Sequence, residues 1–412
     1  MEDQHAYEKD ISIILLTSSY PSSLDVINRN FMTDFAESLT KKRIHVYIIC
    51  PHQPNLPYRE ELKKITIIRF PYWFTTYGEK FGGGGGMIPS MRRSLLSVVQ
   101  LIPFCICQFI VTMNTIKKED INLIHSHWII PQGLIGAVIR LITGIPHIVS
   151  IHGTDIHLIH SHRVAYPLIK IISLYSNYIT TNSSYTYRLL MDIIHQRKSN
   201  TCIIPMGIFP DEYYSNLNID KKEKTILFIG RLIAWKGVNH LIAAMNEVIL
   251  RVHNVQLKII GNGPARAELK QLTRMMKISS HVQFLDNIDR GQLLLHYKKA
   301  DLFVLPSITV DGQTEGLGVV LLEGMASGVP VIGSNTGGIP DIIDDGVNGL
   351  LVPPGDPEAL ASAIMKILNN HELAEKFAQE GLRTVKERFS WDKISDQFIE
   401  IYQEVLHESN EL

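Results

Sequence analysis

The sequence predicts an α/β protein made of two doubly wound, Rossmann-like domains of parallel sheet that face a cleft. Three observations carry this expectation. Short, almost wholly aliphatic runs recur along the chain, as strands covered on both faces of a parallel sheet require. Each is followed by a glycine or polar turn and then an amphipathic helix, and this grammar occurs twice. The chain has 412 residues, enough for separate cores.

Taken in order, Ile11-Ser12-Ile13-Ile14-Leu15-Leu16 opens the first half, followed by a helix from Phe31 to Leu39 and a strand from Ile44 to Ile49. Further strands are expected at Leu123-Ile124-His125, His147 to Ile151 and Tyr178 to Thr181. In the second half, strands at Thr225 to Ile229, Gln256 to Ile260, Val282 to Leu285, Asp301 to Leu305 and Val329 to Ile332 alternate with helices. The domains join near residues 206 to 223. After Gly355, Asp356-Pro357-Glu358 supplies an N-cap, a first-turn proline and a first-turn acid. The remainder reads as helix, and the last helix, over 389 to 412, is expected to lie outside the second sheet and cross back to the first domain.

One stretch breaks the alternation. Arg93 and Lys117 enclose 23 uncharged residues, long enough to span a bilayer. Ser94, Ser97, Gln100, Gln108 and Thr112 recur within it at mostly helical spacing and Pro103 interrupts it, so a helix on the sheet that touches membrane through its end is the expectation. Before it, Gly82 to Gly86 form a glycine run without the Gly-Lys-Ser/Thr of a nucleotide loop, read as a mobile loop or a plain linker.

Composition is that of an ordinary globular protein, 45% apolar and 20% charged. Cys50, Cys105, Cys107 and Cys202 form no Cys-x-x-Cys pair, sit in apolar surroundings and read as buried thiols of a reducing compartment. The polar start Met1-Glu2-Asp3-Gln4-His5 does not resemble a secretory signal, so a cytoplasmic location is expected. The net charge of -1 divides into +6 for residues 1 to 205 and -7 for 206 to 412. A basic first half favours contact with an anionic membrane surface, or reflects compositional drift. No nucleic-acid partner is expected.

The chemistry concentrates in the second half. Glu315 and Glu323 bracket seven glycine and aliphatic residues, Gly316-Leu317-Gly318-Val319-Val320-Leu321-Leu322. If all of this were helical the acids would stand roughly 12 Å apart along the axis, beyond the roughly 5 to 9.5 Å of a glycosidase pair. They read instead as grips on two ends of one extended, phosphate-containing ligand. Gly230-Arg231-Leu232 follows a strand and Lys236-Gly237 comes five residues later, which places two cations where a strand end opens onto a ligand crevice. The amides of Gly316, Leu317 and Gly318 at a helix start add anion donors. Gly261-Asn262-Gly263-Pro264-Ala265-Arg266 imitates a dinucleotide fingerprint but lacks the third glycine and the later acid. His152-Gly153-Thr154-Asp155 closes a strand of the first half, with His152 read as a neutral histidine. His157, His160 and His162 match no common zinc spacing, and no Asp-x-Asp occurs, so no metal is expected.

Assembled, the chain resembles the retaining glycosyltransferases of the GT-B fold, specifically family four, which uses nucleotide-sugar donors. The resemblance rests on Gly230-Arg231-Leu232, Lys236-Gly237, Gly261-Asn262-Gly263-Pro264, Leu305-Pro306-Ser307, the two-glutamate stretch and Gly337-Gly338-Ile339-Pro340-Asp341, in the family's order. Tyr20-Pro21-Ser22, His125-Ser126-His127-Trp128-Ile129-Ile130-Pro131-Gln132-Gly133 and His152-Gly153-Thr154-Asp155 look like members that build bacterial exopolysaccharide or other surface glycans. Ser22-Ser23-Leu24-Asp25, with Arg29 and Asn30 after it, stands where many relatives carry a glycine pair.

The resemblance implies an acceptor-binding domain over 1–205, a nucleotide-sugar-binding domain over 206–388 and a C-terminal helix over 389–412. It implies that Arg231 and Lys236 bind the donor diphosphate, Glu323 the ribose and Glu315 the transferred sugar, with His152 and Asp155 catalytic from the other domain. The donor, UDP- or GDP-linked, is a substrate and no cofactor is implied; the acceptor is a saccharide or lipid-linked saccharide. An epimerase or hydrolase of the same fold and a non-catalytic scaffold of a glycan-assembly complex are the competing readings.

Overall fold

A computed structural model describes residues 11–20, 30–81, 95–161, 163–195, 200–214, 223–286 and 288–410. The Gly82 to Gly86 run, Ser22-Ser23-Leu24-Asp25 with Arg29, and His162 lie outside the described residues. The chain forms two compact units. One gathers residues up to Thr181, Tyr187–Ile204 and Ser395 onward; the other gathers Asn182–Thr186 and Pro205–Ile394.

The first unit holds an eight-stranded sheet in the order β3-β4-β2-β1-β5-β6-β7-β8. Its strands are β1 (Ser12–Leu16), β2 (His45–Pro51), β3 (Arg59–Leu62), β4 (Ile65–Phe70), β5 (Leu123–His127), β6 (His147–Ile151), β7 (Tyr178–Thr181) and β8 (Thr201–Ile203). All pairs are parallel except β3 with β4. Ile13, Ile14, Leu15 and Leu16 of β1 are wholly buried, which is why the strand is aliphatic at four successive positions after Ser12 rather than alternating.

Five helices of this unit matter below: α1 (Phe31–Lys41), α2 (Leu95–Lys118), α3 (Leu134–Thr143), α4 (Thr154–Ser161) and α5 (Tyr166–Tyr175). Asn30 caps α1 by accepting from the amides of Met32 and Thr33, satisfying donors that the helix cannot. The second unit's sheet is parallel throughout, in the order β11-β10-β9-β12-β13-β14. Its strands are β9 (Lys224–Ile229), β10 (Val255–Ile260), β11 (Val282–Leu285), β12 (Leu302–Leu305), β13 (Val331–Ser334) and β14 (Leu350–Val352).

The expected cap at Asp356 is present, accepting from Glu358 N at 3.1 Å and Ala359 N at 2.9 Å. The helix Trp391–Asn410 ends the chain, and its residues from Ser395 belong to the first unit. There Phe398 packs on Phe35 with ring centroids 4.9 Å apart, and the Tyr402 hydroxyl lies 2.7 Å from His125 Nδ1.

The uncharged segment is the 24-residue helix α2, with Pro103 inside it. It is long and apolar enough to cross a membrane. Its polar residues nevertheless face the protein: Ser97, Gln100, Gln108, Thr112 and Thr115 are buried. Of the four cysteines expected to be buried, Cys50 is, whereas Cys105, Cys107 and Cys202 are only partly so. Burial pushes the Cys50 thiol up to about 12 and those of Cys105 and Cys202 to about 11, so these three stay protonated at neutral pH.

Candidate functional site

In the second unit the winding reverses between β9 and β12: β10 and β11 lie on one side of β9, and β13 and β14 beyond β12 on the other. Open α/β sheets bind ligands outside the strand carboxyl ends at such a reversal. The loops leaving β9, β10, β12 and β13 gather there, and glycines set their spacing.

Gly237 has φ +64, and a Cβ on it would lie 1.9 Å from the carbonyl oxygen of Pro306. Only a hydrogen side chain permits that approach, and Ile308 N donates to Trp235 O at 2.8 Å to tie the two loops. Lys236 is thereby brought over the β12 loop. Its Nζ bonds Glu315 Oε2, and Ser307 Oγ donates to the same oxygen at 3.2 Å. Behind Glu315, Gly338 N donates to its carbonyl at 3.0 Å, and a Cβ on Gly337 would meet that carbonyl at 2.1 Å. The Gly261-Asn262-Gly263 turn is also a packing device, since Cβ atoms there would meet Gly230 O at 2.0 Å and Leu232 O at 2.3 Å.

Residues 315–318 are not helical, so the all-helical spacing of the two acids does not apply. The helix runs over Val319–Ala326 and starts at Gly318, whose φ of 99° is left-handed. Among the described residues, the N–H groups of Gly316, Leu317 and Gly318 donate to no protein acceptor. Three open amides at a helix start are donors for an anion. Arg231 is exposed at the turn after β9, with no ion pair among the described residues.

Glu323 lies one turn into that helix. Tyr297 donates to its Oε2 at 2.7 Å and Tyr213 to its Oε1 at 3.2 Å. Burial, then the charge of Glu323, raises the Tyr297 pKa well above its ordinary value, so Tyr297 stays a donor. The two hydroxyls fix the orientation of the Glu323 carboxylate.

In the first unit the winding reverses between β1 and β5. His127 ends β5, and its Nδ1 lies 2.9 Å from His152 Nε2, the rings stacked at 3°. Burial holds His152 down at about 3 and His127 well below the usual histidine range, the latter reinforced by His125 and His152. Both are neutral at physiological pH and act as hydrogen-bonding groups rather than acids. Trp128 lies between, at φ +73 and edge-on to His152 at 5.4 Å, a strained backbone for a bulky residue.

Asp155 is buried and accepts from Ile129 N at 2.9 Å. Burial raises its pKa, while the amides of Ile129, Ile156, Asp155 and His152 oppose the rise. Its carboxylate thus pins the Trp128–Ile129 turn to the start of α4. His157 is buried and His160 approaches Asp192 at 3.9 Å. Among the described residues no three His, Cys, Asp or Glu side chains are grouped to hold a metal.

Sequence reasoning did not single out Tyr213, Tyr297, Ser307, His127 or Trp128 as functional side chains. Ser307, His127 and Trp128 fall inside motifs noted for other reasons; nothing local to Tyr213 or Tyr297 signals their convergence on Glu323.

Two family models divide the chain between them: Glycosyltransferase Family 4 over residues 29–212 and Glycosyl transferases group 1 over residues 211–384. An uncharacterized glycosyltransferase of Methanocaldococcus jannaschii is 31% identical, over 71% of this chain and 77% of that one. The chain belongs to glycosyltransferase family 4. As a member it transfers a sugar from a nucleotide-sugar donor, with retention of configuration and without a metal ion. Its fold, GT-B, is that of sucrose-phosphate synthase from Thermosynechococcus elongatus, with TM-score 0.78, 23% identity, and 97% of this chain and 100% of that chain covered. The Anabaena protein HepE in complex with UDP-glucose is also similar in fold, with TM-score 0.68, 17% identity, and 96% and 100% covered.

Proposed function

We infer that this family 4 enzyme grips the donor pyrophosphate with Arg231, Lys236 and the amides of Gly316, Leu317 and Gly318. The observation that carries the reading is the set of open amides beside the Lys236–Glu315 pair, at the reversal of the second sheet. Glu323 takes the ribose hydroxyls and Glu315 the sugar that is transferred. His152 serves the transfer from the first unit as a neutral hydrogen-bonding group. Asp155, also assigned there, acts by positioning the turn beside His152.

In the transfer the bond from the anomeric carbon to the diphosphate oxygen breaks and a bond to the acceptor hydroxyl oxygen forms on the same face. The acceptor proton passes to the departing phosphate. Negative charge develops on the leaving group, and fixed cations and amides stabilise it by a few kcal/mol for each well-placed donor. Lys236 is then shared between Glu315 and the diphosphate.

The acceptor is a saccharide or lipid-linked saccharide and the product a polysaccharide or other surface glycan, made on the cytoplasmic side of the membrane. The family resemblance of the His125–Gly133 and His152–Asp155 segments and the positive first half support this. Melting-point screening against UDP, GDP, ADP and their sugars tests the donor, because a ligand that binds only the folded chain raises the midpoint. A donor that raises it is then offered with lipid-linked and free saccharides; the reading expects glycosylated acceptor, and hydrolysis alone with every acceptor contradicts it.

A further inference from the structure

Helix α2 is inside out. Its buried stripe, Ser97, Gln100, Phe104, Gln108, Thr112 and Thr115, is mostly polar, whereas Leu96, Val99, Ile102, Ile106 and Ile110 stand on the opposite, exposed face. Ile102 is 69% exposed and Val99 59%. Amphipathic helices of soluble proteins place these residue types the other way round. The buried amides are engaged: Gln100 accepts from Lys80 N at 3.1 Å and donates to Gly78 O at 2.8 Å, and Gln108 donates to Thr17 O at 3.3 Å. Withdrawing α2 to span a bilayer would strand these groups, so the helix keeps its seat and offers its aliphatic side outward.

The neighbouring helices extend that side. On α3, which packs against α2, Leu141 is 65% exposed, with Ile142 and Val138 beside it. On α5, which packs against α3, Leu174, Ile171 and Tyr175 are exposed. Scattered exposed aliphatics are ordinary in proteins, but a contiguous face across three helices marks an interaction surface. The charges on and beside these helices decide the partner: Lys117, Lys118, Arg163 and Lys170 are exposed. Of the nearby acids, Asp155 is buried and Glu119 is engaged by Tyr47 and Arg59, while Asp120 and Glu408 are exposed, so the four exposed cations outnumber these exposed acids. A second copy docked face to face would bring cations against cations, whereas an anionic bilayer complements both the apolar face and its rim.

We propose that the outward face of α2, α3 and α5 docks the first unit in the plane of an anionic phospholipid surface. The contact engages the full length of α2 rather than its end. The inference is independent of sugar transfer, and its test uses no sugar.

The full chain is sedimented with vesicles of phosphatidylcholine alone and of phosphatidylcholine with phosphatidylglycerol. Wild type is expected to bind the anionic vesicles in preference, less tightly as salt rises. The triple variant Ile102→Gln/Ile106→Gln/Leu141→Gln is expected to weaken binding by roughly tenfold or more. Lys117→Gln/Lys118→Gln is expected to weaken it by roughly 30-fold. All five side chains lie on the surface, so unchanged melting points verify folding, and each variant set tests the face separately. Wild type with no preference for anionic vesicles, or either variant set binding as wild type does, overturns the proposal. So does a wild-type dimer in sedimentation that the triple variant dissolves, because the face then belongs to a second copy.

Discussion

The ammonium group of Lys236 bonds the same Glu315 oxygen that Ser307 donates to, and both partners are mostly buried, 13% and 15% exposed. The proposed diphosphate ligand and the proposed sugar ligand are therefore one electrostatic unit before any donor arrives. Lys236→Ala removes a preorganised cation and is expected to lower turnover by on the order of a hundredfold or more. It also leaves Glu315 without its counter-charge, at a cost of roughly 1–3 kcal/mol. Steady-state rates and chemical denaturation of the one variant check both effects; near-normal transfer would count against the role of Lys236.

Glu323 answers to different neighbours. Glu323→Ala is expected to weaken donor binding more than it slows bound donor. Tyr297→Phe keeps the ring and removes the hydroxyl that donates to Glu323 Oε2, a loss of about 1 kcal/mol or roughly fivefold in affinity. Calorimetric titration with the nucleoside diphosphate measures both, and unchanged affinity in both variants contradicts the ribose assignment.

The β9 and β12 loops touch through a glycine. Gly237→Ala places a methyl against the Pro306 carbonyl at a left-handed position, and about 3 kcal/mol or more is expected to be lost. Gly346 supplies the comparison: its φ is +74, but nothing lies within 4 Å of a Cβ there. Gly346→Ala should cost only the conformational strain, about 1 kcal/mol. Equal melting points for the two variants would show that the close approach is not tight.

The buried histidines make the first unit acid-sensitive. His147 is held at about 3 and His152 at about 3, with His125 and His127 also well below the ordinary value, burial being the main cause in each. The unfolded chain binds these protons near pH 6.5 and the folded chain does not. Stability is therefore full above about pH 6.5 and falls as pH drops toward 3, by up to about 1.4 kcal/mol per pH unit for each histidine. Asp155, with its raised pKa, acts in the opposite sense, but only nearer the carboxylate range. Melting points from pH 7 down to pH 5 should fall steadily; a flat profile would place water or a counter-charge on the cluster.

The aliphatic strands, the Asp356 cap and the helix start at Gly318 were readable because local residues decide them. An alternation of strand and helix leaves no room for the β3–β4 hairpin, although Ile65-Thr66-Ile67-Ile68 is as aliphatic as its neighbours. The three-residue strands β8 and β14 carry too short a pattern to stand out. Of the site, the cations, the acids and the close-approach glycines are visible as residue types. The tyrosines on Glu323 are not, because Tyr213, Tyr297 and Glu323 meet only after the sheet is wound. The exposure of α2 was hidden for the same reason: the uncharged run is plain in the sequence, but which side faces the protein depends on the backbone groups that Gln100 and Gln108 find.

The central claim is that fixed cations and open amides of the second unit hold the donor's pyrophosphate without a metal. Calorimetry with UDP and GDP in the presence of a chelator, on wild type and on Arg231→Ala/Lys236→Ala, tests it most directly. Saturable binding of at least one of them by wild type, weakened roughly a hundredfold or more in the double variant, is the expected result. Binding that the chelator abolishes, or that survives loss of both cations, contradicts the account.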